Sequence, residues 1–145
     1  SGTTPAASSL PEYVVRGTWT ETEQHKWMFR DDTRTYASEW AAIYNPYADK
    51  TKGQQEYDWF RFDESGYMVT GWFTDVDGNR YYLNQVSDGT QGRMVTGWYW
   101  IDGMCYYFNP VSDGTRGAMK RNCEIDGYQL NADGIWVVNG VVQTK

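Results

Sequence analysis

The feature that most constrains what this chain can fold into is a passage written twice. Gly71-Trp72 opens it, Asp77-Gly78 stands near its middle, and Tyr81-Tyr82-Leu83-Asn84 follows. Val86-Ser87-Asp88-Gly89-Thr90 and Gly92-Arg93-Met94-Val95-Thr96 close it. Gly97-Trp98 restarts the text, with Asp102-Gly103, Tyr106-Tyr107-Phe108-Asn109, Val111-Ser112-Asp113-Gly114-Thr115 and Gly117-Ala118-Met119. The Gly-Trp pairs stand 26 residues apart and the Ser-Asp-Gly-Thr blocks 25, so one residue is lost at the first turn. Periods in this range mark architectures in which each repeat is one supersecondary unit that buries its apolar face against its neighbours.

Weaker copies extend the pattern. A degenerate first repeat is expected over 17-38, with Trp19 near the Trp position and Trp27-Met28-Phe29 in place of Tyr-Tyr-Leu. A second, over 40-70, opens at Trp40, carries an insertion at 45–56, resumes at Trp59-Phe60-Arg61-Phe62-Asp63 and closes with Gly66-Tyr67-Met68-Val69-Thr70. The third and fourth are 71-96 and 97-121, and a trimmed fifth spans 122-145. Residues 1-12 are rich in Ser, Thr, Ala and Pro and read as a linker or disordered lead-in, which leaves 13-145 as the repeat domain. The chain does not begin with Met and is expected to be a processed or excised part of a larger protein.

Composition agrees with short aromatic hairpins. There are eight Trp, twelve Tyr and five Phe against three Leu and four Ile, too few aliphatics for an ordinary core. Aromatic rings bury a large body and keep a polar handle. The net charge of −6 argues against nucleic acid, which demands a basic stripe. No apolar run approaches the ~20 residues of a transmembrane segment. Cys105 and Cys123 are too few for a disulfide framework; they form either one bridge or two free thiols.

Asp-Gly pairs between β-forming residues are strong hairpin signals. A two-residue turn at Asp102-Gly103 puts Trp98 opposite Tyr107 and Trp100 opposite Cys105. A three-residue loop, Val76-Asp77-Gly78, puts Trp72 opposite Tyr82 and Thr74 opposite Arg80. Alternation along the strands then sorts the side chains. Phe60, Phe62, Phe73, Tyr81, Leu83, Tyr99, Ile101, Tyr106 and Phe108 are expected to form the core between repeats. Trp59, Arg61, Trp72, Thr74, Arg80, Tyr82, Trp98, Trp100 and Tyr107 share the other face, where the arginines imply water.

Catalysis finds no support. His25 is the only histidine and is expected on the surface, so no His-based triad or multi-His metal site is available. Asp63, Glu64, Asp75 and Asp77 stand beside turns, where carboxylates ordinarily cap backbone N–H groups. The stretch Asp75 to Asn79 lacks the later ligands of a calcium loop. No enzyme activity, cofactor or metal is expected.

Taken together, Gly-Trp, a central Asp-Gly turn, Tyr-Tyr-Phe-Asn and Gly-x-Met-Val-Thr-Gly-Trp resemble the cell-wall-binding repeats of Gram-positive surface proteins, the choline-binding and glucan-binding repeats. The resemblance is clear from about Gly66 to Gly117 and weaker from Gly17 to Asn139. It implies an all-β architecture, a β-solenoid of stacked β-hairpins that is non-catalytic and attaches an exported, cell-surface protein to a polysaccharide or cell-wall polymer. The family's choline sites are small aromatic cages. Carried over, the Gly-Trp positions are Trp40, Trp72 and Trp98. The Trp before Tyr-Tyr is kept as Trp59 but is Arg80 and Cys105 in the next two repeats, and Cys123 takes the Gly-Trp slot of the fifth. An Arg in a cage wall adds a repulsive cation, so the remaining platform suits a sugar ring better than choline.

The resulting reading is a polymer-binding module with shallow aromatic sites at Trp40, Trp59, Arg61, Trp72, Arg80, Tyr82, Trp98, Trp100 and Tyr107. On this reading Trp72→Ala and Trp98→Ala each weaken polymer binding and leave the β-fold intact. Choline binding at Trp59 and Trp72 is one alternative; a structural spacer or protein-interaction rod is another.

Overall fold

When Asp and Gly stand between two aromatic runs, a tight reverse turn pairs the flanking backbones. At Asp102 and Gly103, φ values of 50° and 84° put both central residues in the left-handed region, which matches the twist of the flanking strands. The computed structural model describes residues 10–145, so most of the lead-in expected over 1-12 lies outside the described residues. The strands are β1 (Val14–Val15), β2 (Thr18–Glu21), β3 (Trp27–Arg30), β4 (Glu39–Tyr44), β5 (Tyr57–Phe62), β6 (Gly71–Thr74) and β7 (Arg80–Leu83). They continue as β8 (Gly97–Ile101), β9 (Met104–Phe108), β10 (Cys123–Ile125), β11 (Tyr128–Leu130), β12 (Trp136–Val138) and β13 (Val141–Val142). A 3-10 turn at Lys50–Lys52 is the one helical piece among the described residues. The architecture is all-β.

Five antiparallel pairs follow one another: β2 with β3, β4 with β5, β6 with β7, β8 with β9 and β10 with β11. β1 adds to β4 in parallel, and β12 and β13 extend the last pair to four strands. The register set by the turns is the one expected, with Trp72 opposite Tyr82, Thr74 opposite Arg80, Trp98 opposite Tyr107 and Trp100 opposite Cys105. Asp75 N–H donates to the Asn79 carbonyl at 2.9 Å and closes the three-residue loop, with Gly78 left-handed.

The chain forms two compact units. One comprises the described residues up to Thr70 together with Gln85–Arg93; the other comprises Gly71–Asn84 together with Met94–Lys145. In the first, Phe29, Tyr36, Ala41, Ile43 and Phe62 are buried, with Trp19, Phe60 and Met68 packed against them. In the second, Tyr82, Val95, Ile101, Tyr106 and Phe108 are buried, flanked by Trp72, Tyr99 and Met119. The repeat is visible in the geometry. The Trp19 ring lies 5.0 Å from Phe60 and 5.8 Å from Phe62; Trp72 lies 5.0 Å from Tyr106 and 5.9 Å from Phe108. Met68 N–H donates to the Trp27 carbonyl at 2.8 Å, and Met119 N–H to the Arg80 carbonyl at 2.7 Å.

Tyr82 was expected on a wet face but is 7% exposed, with its ring 5.3 Å from Trp72 and 5.9 Å from Tyr99. Alternation fixes the side of its own hairpin on which a residue stands, while the next hairpin decides whether that side is covered.

Each Gly-x-Met segment also joins one repeat to the next. Gly92 has φ +87°, and a Cβ there would overlap Met68 Sδ; Gly117 meets Met94 and Gly134 meets Met119 in the same way. Gly92→Ala is therefore expected to combine backbone strain with displacement of Met68 and to cost roughly 1–3 kcal/mol in urea denaturation. Gly78→Ala, equally left-handed but facing open space, is the control and isolates the backbone strain.

Asp31 pins the turn between β3 and β4. Its carboxylate accepts from Tyr36 Oη at 2.7 Å and from the Thr33 and Arg34 N–H groups, which hold its pKa well below the ordinary 3.8. A depressed carboxyl stabilises fully above its unfolded value, and that stability drains away as the pH falls toward the lower folded value. Asp31→Asn is thus expected to unfold earlier than the parent at neutral pH. The two acid-unfolding curves should converge well below pH 3.8.

Candidate functional site

The register that places Trp27 opposite Glu21 projects its indole beside Trp19, with the rings 6.5 Å apart and nearly perpendicular at 82°. The following hairpin supplies Phe60, edge-on to Trp19, and Met68, anchored by its backbone bond to Trp27. Together they line an open cavity of 320 Å³, rimmed by Ser87 and Gly89 from the first Ser-Asp-Gly-Thr block and by Gln91 just after it. Among the described residues no Lys or Arg lines it. Three aromatic rings and a thioether around a cation-free cavity suit a quaternary ammonium. Such a group has no N–H to donate and is held instead by ring quadrupoles.

A second, smaller cavity of 230 Å³ lies in the other unit, lined by Trp98, Cys105, Tyr128 and Trp136. Trp98 and Tyr128 meet edge-on at 5.6 Å, as do Tyr128 and Trp136 at 5.8 Å. Cys105 closes one wall; burial pushes its thiol pKa up, so it stays neutral. Cys105 and Cys123 are both free thiols.

The candidate residues read from the sequence separate into distinct settings. Trp98 and Trp100 are each 36% exposed, and Trp98 lies 4.9 Å from the Tyr107 ring. Trp100 contacts Trp136 at 6.2 Å, and Lys145 Nζ sits 5.5 Å over its ring. Trp59 stacks on Tyr13 at 5.4 Å. Trp40 and Arg61 face each other across β4 and β5, with the guanidinium 6.0 Å from the indole. Trp59 and Trp72, paired in the choline alternative, fall in different units.

Trp72 also departs from expectation: it is half-buried against Tyr106 and Phe108. The Arg80 guanidinium lies 4.1 Å over its ring. Trp72→Ala would therefore damage packing, contrary to the intact fold expected for it. The cage residues Trp19, Trp27, Phe60 and Met68 and the walls Tyr128 and Trp136 were not among the sequence candidates. The sequence reading sets Trp27 at the position of Tyr81; the observed register, with Trp19 opposite Phe29 as Trp72 is opposite Tyr82, moves it by one residue to the position that Arg80 occupies later.

The turn carboxylates serve the backbone. Asp63 Oδ1 accepts from the Ser65 and Tyr67 N–H groups, and Asp75 Oδ1 from those of Asp77 and Asn79. His25 is exposed beside Glu21. Among the described residues no three His, Cys, Asp or Glu side chains gather to hold a metal, and no helix is long and apolar enough to cross a membrane.

The aromatic geometry can be set beside known proteins. The cell wall binding repeat model, of the choline-binding type, matches residues 70–85 and 96–110. The choline binding domain of Spr1274 from Streptococcus pneumoniae is 37% identical over 59% of this chain and 90% of its own length, with a TM-score of 0.46. The chain belongs to the cell wall binding repeat family. Choline binding protein F from Streptococcus pneumoniae, solved in the presence of a tetrasaccharide-pentapeptide peptidoglycan analogue, is 31% identical over 84% of this chain, with a TM-score of 0.48. The chain spans about two fifths of that protein, since 40% of its length is covered. Alternansucrase in complex with isomaltotriose, 19% identical over 83% of this chain and 10% of its own, shares the fold alone, with a TM-score of 0.55. No curated protein sequence matches.

Within this cell wall binding repeat, Trp72, Arg80, Tyr106 and Met119 reproduce the cage of Trp19, Trp27, Phe60 and Met68, with Arg80 where Trp27 stands. The guanidinium occupies the aromatic face that a ligand cation would use. Arg80→Trp is expected to create a further cage and raise the choline stoichiometry by about one site in calorimetric titration. Unchanged stoichiometry in a folded variant would show that the resident cation is not what closes this repeat.

Proposed function

We propose that this chain is a non-catalytic wall-binding module that holds quaternary ammonium groups of a choline-bearing wall polymer in its aromatic cages. The Trp19–Trp27–Phe60–Met68 cavity carries the reading, because its walls are aromatic or soft and free of cations. The hairpins of repeats 17-38, 40-70, 71-96, 97-121 and 122-145 would stack as a β-solenoid and present such sites along one rod. Several weak sites on one rod gain avidity on a repetitive polymer. The module would act at the cell surface, attached to an exported protein.

Retention on choline-bearing wall polymer, with release by free choline, is the expected behaviour. Retention that choline does not disturb would reject the cage as the binding site. A second reading, a sugar platform, is favoured at Trp98 and Tyr107, where the exposed indole can take the apolar face of a pyranose. On that reading Trp98→Ala lowers retention on glucans without changing choline release.

A further inference from the structure

A second cavity opens directly beside the Trp27 cage, in the same unit. It measures 490 Å³ and has Trp19, Phe60 and Gly89 as walls in common with the cage. Its remaining walls differ in chemistry. They include Tyr44, Asn45, Tyr47, Asp58, Thr90 and Arg93. Tyr44, Asn45 and Tyr47 belong to the end of β4 and the insertion after it; Thr90 and Arg93 come from the Ser-Asp-Gly-Thr segment. The cavity is thus built where the two departures from a bare hairpin repeat converge.

We infer that this groove is a saccharide subsite, so that the first unit can read a cation and the sugar bearing it as one ligand. The composite ligand rests on the choline reading of the cage; the subsite itself does not. Three observations carry it. The volume falls within the ~300–1,000 Å³ usual for small-molecule sites. Arg93 Nε stands 3.1 Å from Asp58 Oδ1, an ion pair that fixes a guanidinium still 39% exposed beside a largely buried carboxylate. A guanidinium and a carboxylate side by side give donor and acceptor for neighbouring sugar hydroxyls, and the exposed Tyr47 ring offers an apolar face to the pyranose, while the Tyr44 ring carries the Arg16 guanidinium at 4.4 Å. Asp58 also opposes a phosphate at Arg93, because the pair is already neutral.

The walls are held in place before a ligand arrives. Asn45 Oδ1 accepts from Tyr47 N–H at 2.9 Å, and Asn45 N–H donates to the Glu56 carbonyl at 2.7 Å. Arg93 N–H donates to the Thr90 carbonyl at 3.1 Å. Preorganised walls reduce the ordering cost of binding.

The test is calorimetric titration of the whole chain with isomaltotriose, N,N′-diacetylchitobiose, choline chloride and inorganic phosphate in turn. At least one saccharide should bind, and Arg93→Gln and Tyr47→Ala should each weaken it at least about tenfold while choline affinity stays within about twofold. Tyr47 is 88% exposed, so its truncation spares the fold. Trp27→Ala should do the reverse, weakening choline and sparing the saccharide. Saccharide affinity unchanged in both groove variants overturns the proposal. So does phosphate that displaces the saccharide and is itself lost in Arg93→Gln, which would make the groove an anion site. A chain that binds choline but neither saccharide overturns the subsite and leaves the cage standing. Saccharide binding that Arg93→Gln abolishes, in a chain that ignores choline, supports the subsite and removes the cage reading.

Discussion

Trp27→Ala is expected to weaken choline binding at the first-unit cage by up to roughly 30-fold, since a desolvated cation–π contact is worth about 2 kcal/mol. The indole forms one wall of the cavity and stands perpendicular to Trp19, so no neighbouring ring can take its place. It is half-buried, and the fully buried rings of that unit are Phe29 and Phe62. Truncation should therefore leave the far-ultraviolet spectrum intact. Trp19 would be a poorer choice, because it packs on Phe29 and Phe62 and its loss would confound binding with folding. The measurement is titration of free choline, where a single site is read, rather than polymer retention, where avidity masks one loss. An unchanged affinity would remove the cage from the binding surface.

Phe108→Ala is expected to be the most destabilising single truncation in the second unit. The ring is fully buried, 5.9 Å from Trp72 and 6.3 Å from Tyr106. Emptying a buried Phe site costs about 3–5 kcal/mol, because the surroundings collapse only in part. In a unit of this size that corresponds to a fall of roughly 15 °C or more in Tm. Few aliphatic side chains are available to fill the hole, since Ile101 and Val95 are the only aliphatic members of that buried cluster. Thermal unfolding followed by circular dichroism reads it, and a loss below about 1 kcal/mol would contradict the burial.

The register of the hairpins was legible because it is local. An Asp-Gly turn with both residues left-handed admits one pairing, and that pairing puts Trp98 opposite Tyr107 whatever else the chain does. The turn role of Asp63 and Asp75 was legible for the same reason: the N–H groups they bind lie within four residues. The site was much less legible. Trp27 and Met68 lie in different repeats, and the first of these repeats is degenerate, so neither motif nor spacing linked them. Arg80 was readable as a misfit in a cage; that it lies flat on Trp72 was not.

From the sequence alone came the repeat, its all-β hairpins, their turns and register, the aromatic character of the core and the family resemblance. These follow from φ/ψ preferences and from side-chain alternation over a few residues. Only the tertiary structure decided which ring faces stay open. That outcome depends on how the next hairpin covers each sheet, and on the 85–93 segment belonging with the first unit although the strands on either side of it belong to the second. Covering is a long-range property that alternation cannot encode. Hence Tyr82, on the same side of its hairpin as Trp72, is buried, while Trp27 of the degenerate first repeat became a wall of the cage.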